Sequence, residues 1–166
     1  IAHSMGSMST RWYAAKLRPD RVRVWISLAG PNHGSNIGCP GSAGSGKIEL
    51  CPAYAGTYEE SPLQFMLNGG ADADVDETPF GIAPDSPSRK RIGPTENQRI
   101  LYITIRTEPD EWIHPVESTI LDGAGGMNIS LPGGAPVIET TPGNFKMTNR
   151  VGHDDMLADK DVLKLL

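Results

Sequence analysis

Two adjacent segments near the start of the chain constrain the fold most. In residues 5–17, Met5, Met8, Trp12, Ala15 and Leu17 fall close to one face at helical spacing, with Arg11 and Lys16 elsewhere. Pro19-Asp20 punctuates the end of that segment. Residues 22–29 (VRVWISLA) alternate and then run apolar, as a buried strand does. A second such run lies at 99–105 (RILYITI), and 127–131 (MNISL) reads as a third strand. Residues 61–67 suit a short helix, with Pro62 in its first turn. Residues 154–166 place Met156, Leu157, Val162, Leu163 and Leu166 at near-helical spacing, which predicts a closing amphipathic helix. Residues 132–147 read as irregular, and no internal repeat is visible. Strands alternating with helices predict an α/β fold with a mostly parallel sheet.

Three strands are few for a sheet that needs both faces covered. The chain also begins Ile1-Ala2-His3-Ser4, without an initiator Met, a signal-like apolar run or a leading strand. The expectation is therefore a single partial domain over residues 1–166, the C-terminal portion of a longer protein whose N-terminal strands are missing here. With 38% hydrophobic and 21% charged residues, the composition is that of a globular domain. Gly (19) and Pro (14) stand somewhat above their usual share, which predicts long loops, above all over residues 35–98. A net charge of −5, with acids and bases interspersed, argues against a nucleic-acid-binding surface. No apolar run approaches the roughly 18 residues of a membrane span. Cys39 and Cys51 lie in a Gly- and Ser-rich stretch, where one disulfide closing a short loop is the natural reading and implies an oxidising compartment.

The sharpest chemical signal is Ala2-His3-Ser4-Met5-Gly6, a G-x-S-x-G pattern with Ala in the first position. Such a serine sits on a tight strand-to-helix turn, its hydroxyl projecting above the sheet while the helix N-terminus points N–H groups at the reacting centre. The Met5 N–H would be one oxyanion donor. A Ser-Gly turn opening a helix is the plainer alternative, since Ser is a common N-cap.

A serine at its free pKa needs a base. Of His3, His33, His114 and His153, the last stands just before the closing helix, and the order Ser, acid, His fits hydrolases of this kind. His3 is expected to point away from Ser4, His33 to line the pocket, and His114 to pack or cap locally. Glu108, Asp110 and Glu111 follow the 99–105 strand; Asp110 is the preferred acid and Glu108 the reserve.

Two other patterns are set aside. Gly41-Ser42-Ala43-Gly44-Ser45-Gly46-Lys47 fits a phosphate loop, but Ile48 stands where the Mg²⁺-binding hydroxyl belongs and no strand precedes it. Asp72-Ala73-Asp74-Val75-Asp76-Glu77 echoes a calcium loop without its sixth-position Gly or its later Glu. No metal spacing among His and Cys is present, and no cofactor is expected.

With these residues in place the chain resembles the bacterial class 2 lipases of the α/β-hydrolase superfamily, the group of the small Bacillus and Streptomyces enzymes. The resemblance is carried by AHSMGSMSTRWY, VWISLAGPNHGS, NQRILYITIRTEPDEWIHP, STILDGAGGMNISL and VGHDDML, in order from residue 2 to residue 157. It implies a secreted hydrolase of small-molecule or lipid esters, working through an acyl-enzyme with Ser4 as nucleophile, Asp110 as acid, His153 as base and Met5 as an oxyanion donor. The first oxyanion donor of the family comes from an early loop that has no counterpart here. The 35–98 stretch would form a lid or pocket wall, braced by the cystine, with transient lipid-interface contact. Other hydrolases on the same scaffold (a polyester depolymerase, a thioesterase, an amidase) remain open, as does a truncated non-catalytic fragment or binding module.

Overall fold

The structure, a computed structural model, describes residues 1–38, 49–50, 62–68, 100–121, 134–141 and 143–166. Its elements are β1 (Ala2–His3), α1 (Met5–Trp12), β2 (Val24–Leu28), α2 (Pro62–Asn68), β3 (Leu101–Arg106), β4 (Val137–Thr141), β5 (Asn144–Met147) and α3 (Lys160–Leu163). They build a five-stranded sheet in the order β1-β2-β3-β5-β4. The β1–β2, β2–β3 and β3–β5 pairs are parallel and β4–β5 is an antiparallel hairpin. The architecture is thus a mixed, mostly parallel sheet with few helices, compatible with an α/β fold.

Period-two alternation divides the two central strands between two cores. Trp25 and Tyr102, which face each other in register, turn toward α1 and join Ala14, Ile100 and Leu121 in one cluster. Their rings lie 5.3 Å apart at 53°, an inclined packing worth about 0.5–1.5 kcal/mol beyond its buried area. Leu28 and Ile105 turn the other way and meet Phe145, Met147, Val151, Met156 and Val162. Asn144 joins the hairpin to the centre. Its Oδ1 accepts from Thr104 Oγ1 and the Leu121 N–H, and its Nδ2 donates to the Leu121 carbonyl.

Several expectations are corrected. The 5–17 helix is present over that range, α-helical to Trp12 and π-helical over Tyr13–Leu17, but its buried face differs. Its buried face is Ser7, Met8, Arg11 and Ala14, whereas Met5 and Leu17 are exposed. The reason is close approach rather than hydrophobicity. Ser27 Oγ donates to Ser7 Oγ at 2.9 Å, and a Cβ on Gly30 would fall 2.1 Å from Ser27 Oγ and 2.5 Å from Ser7 Cβ. Small side chains let α1 lie directly on β2. Arg11, fully buried, is accommodated by the Asn68 Oδ1 and the Leu67 and Asn32 carbonyls. The predicted helix at 61–67 is α2, displaced by one residue.

Residues 132–147, read as irregular, contain the β4–β5 hairpin. The predicted closing helix is instead a 3-10 turn, Asp154–Leu157, followed by the one-turn α3. Asp159 separates them by capping α3, accepting from the Asp161 and Val162 N–H groups at 2.8 and 3.0 Å. A two-residue strand, β1, does precede Ser4, and among the described residues β1, β4 and β5 join the two predicted strands β2 and β3. The predicted strand at 127–131, the Cys39–Cys51 bridge and both set-aside loops lie outside the described residues. Among the described residues no helix is long and apolar enough to cross a membrane.

Candidate active site

Parallel strands end on a common edge, and that edge gathers the chemistry. Ser4 follows β1, residues 29–35 follow β2, Asp110 follows β3 and His153 follows β5. Ser4 is the turn itself. Its backbone has φ 53° and ψ −137°, a conformation L-residues rarely adopt, at a cost on the order of 1–3 kcal/mol. It is held there because its N–H donates to the Leu28 carbonyl at 3.0 Å while its own carbonyl accepts from the Ser7 N–H at 2.9 Å. The Ser4 side chain makes no capping bond to α1 and is left to project from the edge. Ala29, at the matching end of β2, also has a positive φ of 45°.

The Ser4 Oγ lies 2.8 Å from His153 Nε2. On the far side of the ring, Nδ1 is 2.9 Å from Asp110 Oδ2 and 3.0 Å from Oδ1. Asp110 Oδ1 also accepts the backbone N–H groups of Trp112 and Ile113 at 2.9 and 2.8 Å. Burial alone would raise the Asp110 carboxyl, but the bonds from His153, Ile113 and Trp112 outweigh it and hold it below its ordinary value. Ionised Asp110 can only accept, so the bond at Nδ1 makes that nitrogen the donor and leaves Nε2 facing the Ser4 hydroxyl. A carboxylate held low stabilises the fold above the ordinary carboxyl range, and that contribution is lost as pH falls through the lowered native value.

Side chains brace the three segments against one another. Ser35 Oγ donates to the Trp112 carbonyl at 2.7 Å and accepts from the His114 N–H at 3.0 Å, tying the loop after β2 to the acid loop. Thr107 Oγ1 donates to the Val151 carbonyl, tying β3 to the segment of His153. Met5 is the first residue of α1, so its N–H has no acceptor within the helix. A cleft of about 240 Å³ opens at the pair Ser4 and His153. Its walls are largely apolar, from Pro31, Ile37, Leu50, Trp112 and Ile113, with Ser35 and Asp154 as the polar additions. Among the described residues no group of His, Cys, Asp or Glu could hold a metal ion.

No family model matches the chain, and no curated protein matches it.

The structure brings Ser4, Asp110 and His153 together. The reserve acid, Glu108, is not among them: it points outward in an ion pair with Lys146 Nζ, which lowers its carboxyl from the ordinary value. His33 is absent from the described cleft wall and instead meets the Ser118 carbonyl through Nδ1, at 3.2 Å. His114 contacts Glu111 locally, Nε2 to the carbonyl at 3.2 Å, as expected. The expectation for His3 is corrected. Its ring reaches across the edge, its Nε2–H donating to the His153 carbonyl at 2.9 Å. The cleft residues Ile37, Leu50 and Trp112 carry no motif and were not legible as site residues.

Proposed function

We propose that the protein is a serine ester hydrolase of the α/β-hydrolase type, similar to the class 2 lipases. The observation that carries this reading is the unbroken hydrogen-bond chain from Ser4 Oγ through His153 to Asp110, at 2.8 and 2.9 Å, its members drawn from the ends of three parallel strands. Such a chain suits acyl transfer. His153 Nε2 takes the Ser4 proton as Oγ attacks the ester carbonyl. The N–H of Met5 receives the developing oxyanion, a contribution of about 3–4 kcal/mol for a well-placed donor. His153 then protonates the leaving alcohol, and an acyl-Ser4 ester remains. Water, deprotonated by the same imidazole, attacks that ester and releases the acid and free Ser4. Asp110 stabilises the imidazolium at both stages.

The apolar cleft supports an apolar acyl or alcohol group, as in lipids and other hydrophobic esters, and the pair Cys39 and Cys51 supports a secreted enzyme. The test is hydrolysis of p-nitrophenyl esters of graded chain length by the full-length protein and its Ser4→Ala variant, with matched amides, thioesters and polyesters. The reading predicts turnover of esters above all and a fall of about 10⁶ in kcat for S4A. Undiminished turnover in S4A would refute it.

A further inference from the structure

Each segment that supplies a partner to the His153 ring also supplies a partner to its main chain. Ser4 holds Nε2, and the residue before it, His3, donates Nε2–H to the His153 carbonyl at 2.9 Å. Asp110 holds Nδ1, and the residue after it, Glu111, accepts the His153 N–H on Oε2 at 3.2 Å. The His3 and His153 rings also lie against each other, 4.7 Å apart at 50°. Gly152 keeps the approach open: a Cβ there would come 3.3 Å from Asp155 Oδ2 and 3.5 Å from Glu111 Oε1.

We infer that His3 and Glu111 are positioning residues which clamp the His153 main chain between them. The inference rests on the hydrolase reading above. His153 lies beyond β5 in a short irregular connection, ahead of a single 3-10 turn, so no strand pairing sets its position. Its Nε2 must nevertheless serve two atoms in succession, receiving a proton from Ser4 Oγ and delivering it to the leaving oxygen. Hydrogen bonds of ordinary strength suffice when they act at the backbone, because a misplacement of about 1 Å in such a group costs on the order of 10²-fold in rate. Neither His3 nor Glu111 stands on the described cleft wall, so their effect falls on turnover and not on substrate binding.

The test uses the full-length protein, p-nitrophenyl ester kinetics and the downfield proton resonance of the His153–Asp110 hydrogen bond. His3→Leu and Glu111→Ala should each lower kcat by roughly ten- to a hundred-fold with KM unchanged. They should also weaken the downfield resonance. His3→Gln can still donate and Glu111→Gln can still accept, so both should recover most of kcat and keep the resonance. Glu111 is exposed, so its variants leave the cores untouched and decide the matter even if H3L does not fold. Wild-type kcat in E111A overturns the inference. So does an equal loss in E111A and E111Q, or a loss confined to KM. If S4A is inactive while E111A matches wild type, the clamp alone fails. If S4A retains full activity, the hydrolase reading fails and the clamp with it.

Discussion

Ser4 Oγ and His153 Nε2 lie 2.8 Å apart, yet the chain holds the two residues by opposite means. Ser4 is fixed by backbone: a two-residue strand on one side, an eight-residue helix on the other, and a strained φ of 53° between them. Its bonds to Leu28 and Ser7 are main chain to main chain. His153 has no such frame. Its ring and its main chain are held by side chains from Ser4, Asp110, Glu111 and His3, which lie more than forty residues away in sequence at the nearest. In the proposed mechanism the nucleophile, built into strand and helix, is insensitive to most side-chain changes nearby. A base hung on side chains is sensitive to each of them.

That contrast can be broken from the side of the base with the largest effect. Asp110→Asn keeps the shape of the carboxyl but replaces an anion with an amide, so Nδ1 of His153 no longer has a charged acceptor and the wrong tautomer is favoured. If the proposed mechanism holds, ester turnover by the full-length protein should fall by about 10⁴ with little change in KM. An effect below tenfold would mean that Asp110 does not orient the base.

From the side of the nucleophile, two glycines separate backbone demand from motif. Gly30 stands outside the G-x-S-x-G pattern, but a Cβ there would overlap Ser27 and Ser7, the contact that seats α1 on β2. Gly30→Ala should destabilise the protein by about 1–3 kcal/mol in a denaturant titration. Gly6 belongs to the pattern, yet a Cβ there would meet nothing within 4 Å. Gly6→Ala should shift stability by no more than about 1 kcal/mol, toward greater stability, because Ala is the better helix former. The reverse ranking of the two would show that the elbow is not seated as described.

The same contrast explains what the residues disclosed in advance. The helix-then-strand order was legible because 3.6- and 2-residue periods are properties of consecutive side chains. That Ser4, Asp110 and His153 would meet was legible from their order and from their places after strands. The buried face of α1 was misjudged because Arg11 is accommodated by Asn68 and by the Leu67 and Asn32 carbonyls, none of them near it in sequence. The β4–β5 hairpin was missed because β4 is almost wholly exposed, with Ile138 on the surface beside Glu139, Thr140 and Thr141, so it shows no alternation of apolar and polar residues. His3 and Glu111 escaped because their hydrogen-bond partners at the site are backbone atoms of a distant residue, and no spacing of side chains records such a contact.

The central claim is that Ser4 is the activated nucleophile, and covalent labelling tests it most directly. A fluorophosphonate probe requires a serine that is both accessible and deprotonated by its neighbour. Incubated with the full-length protein and mapped by peptide mass spectrometry, it should modify Ser4 alone, and the labelling should vanish in His153→Ala. A protein that hydrolyses esters while Ser4 stays unmodified would contradict the account.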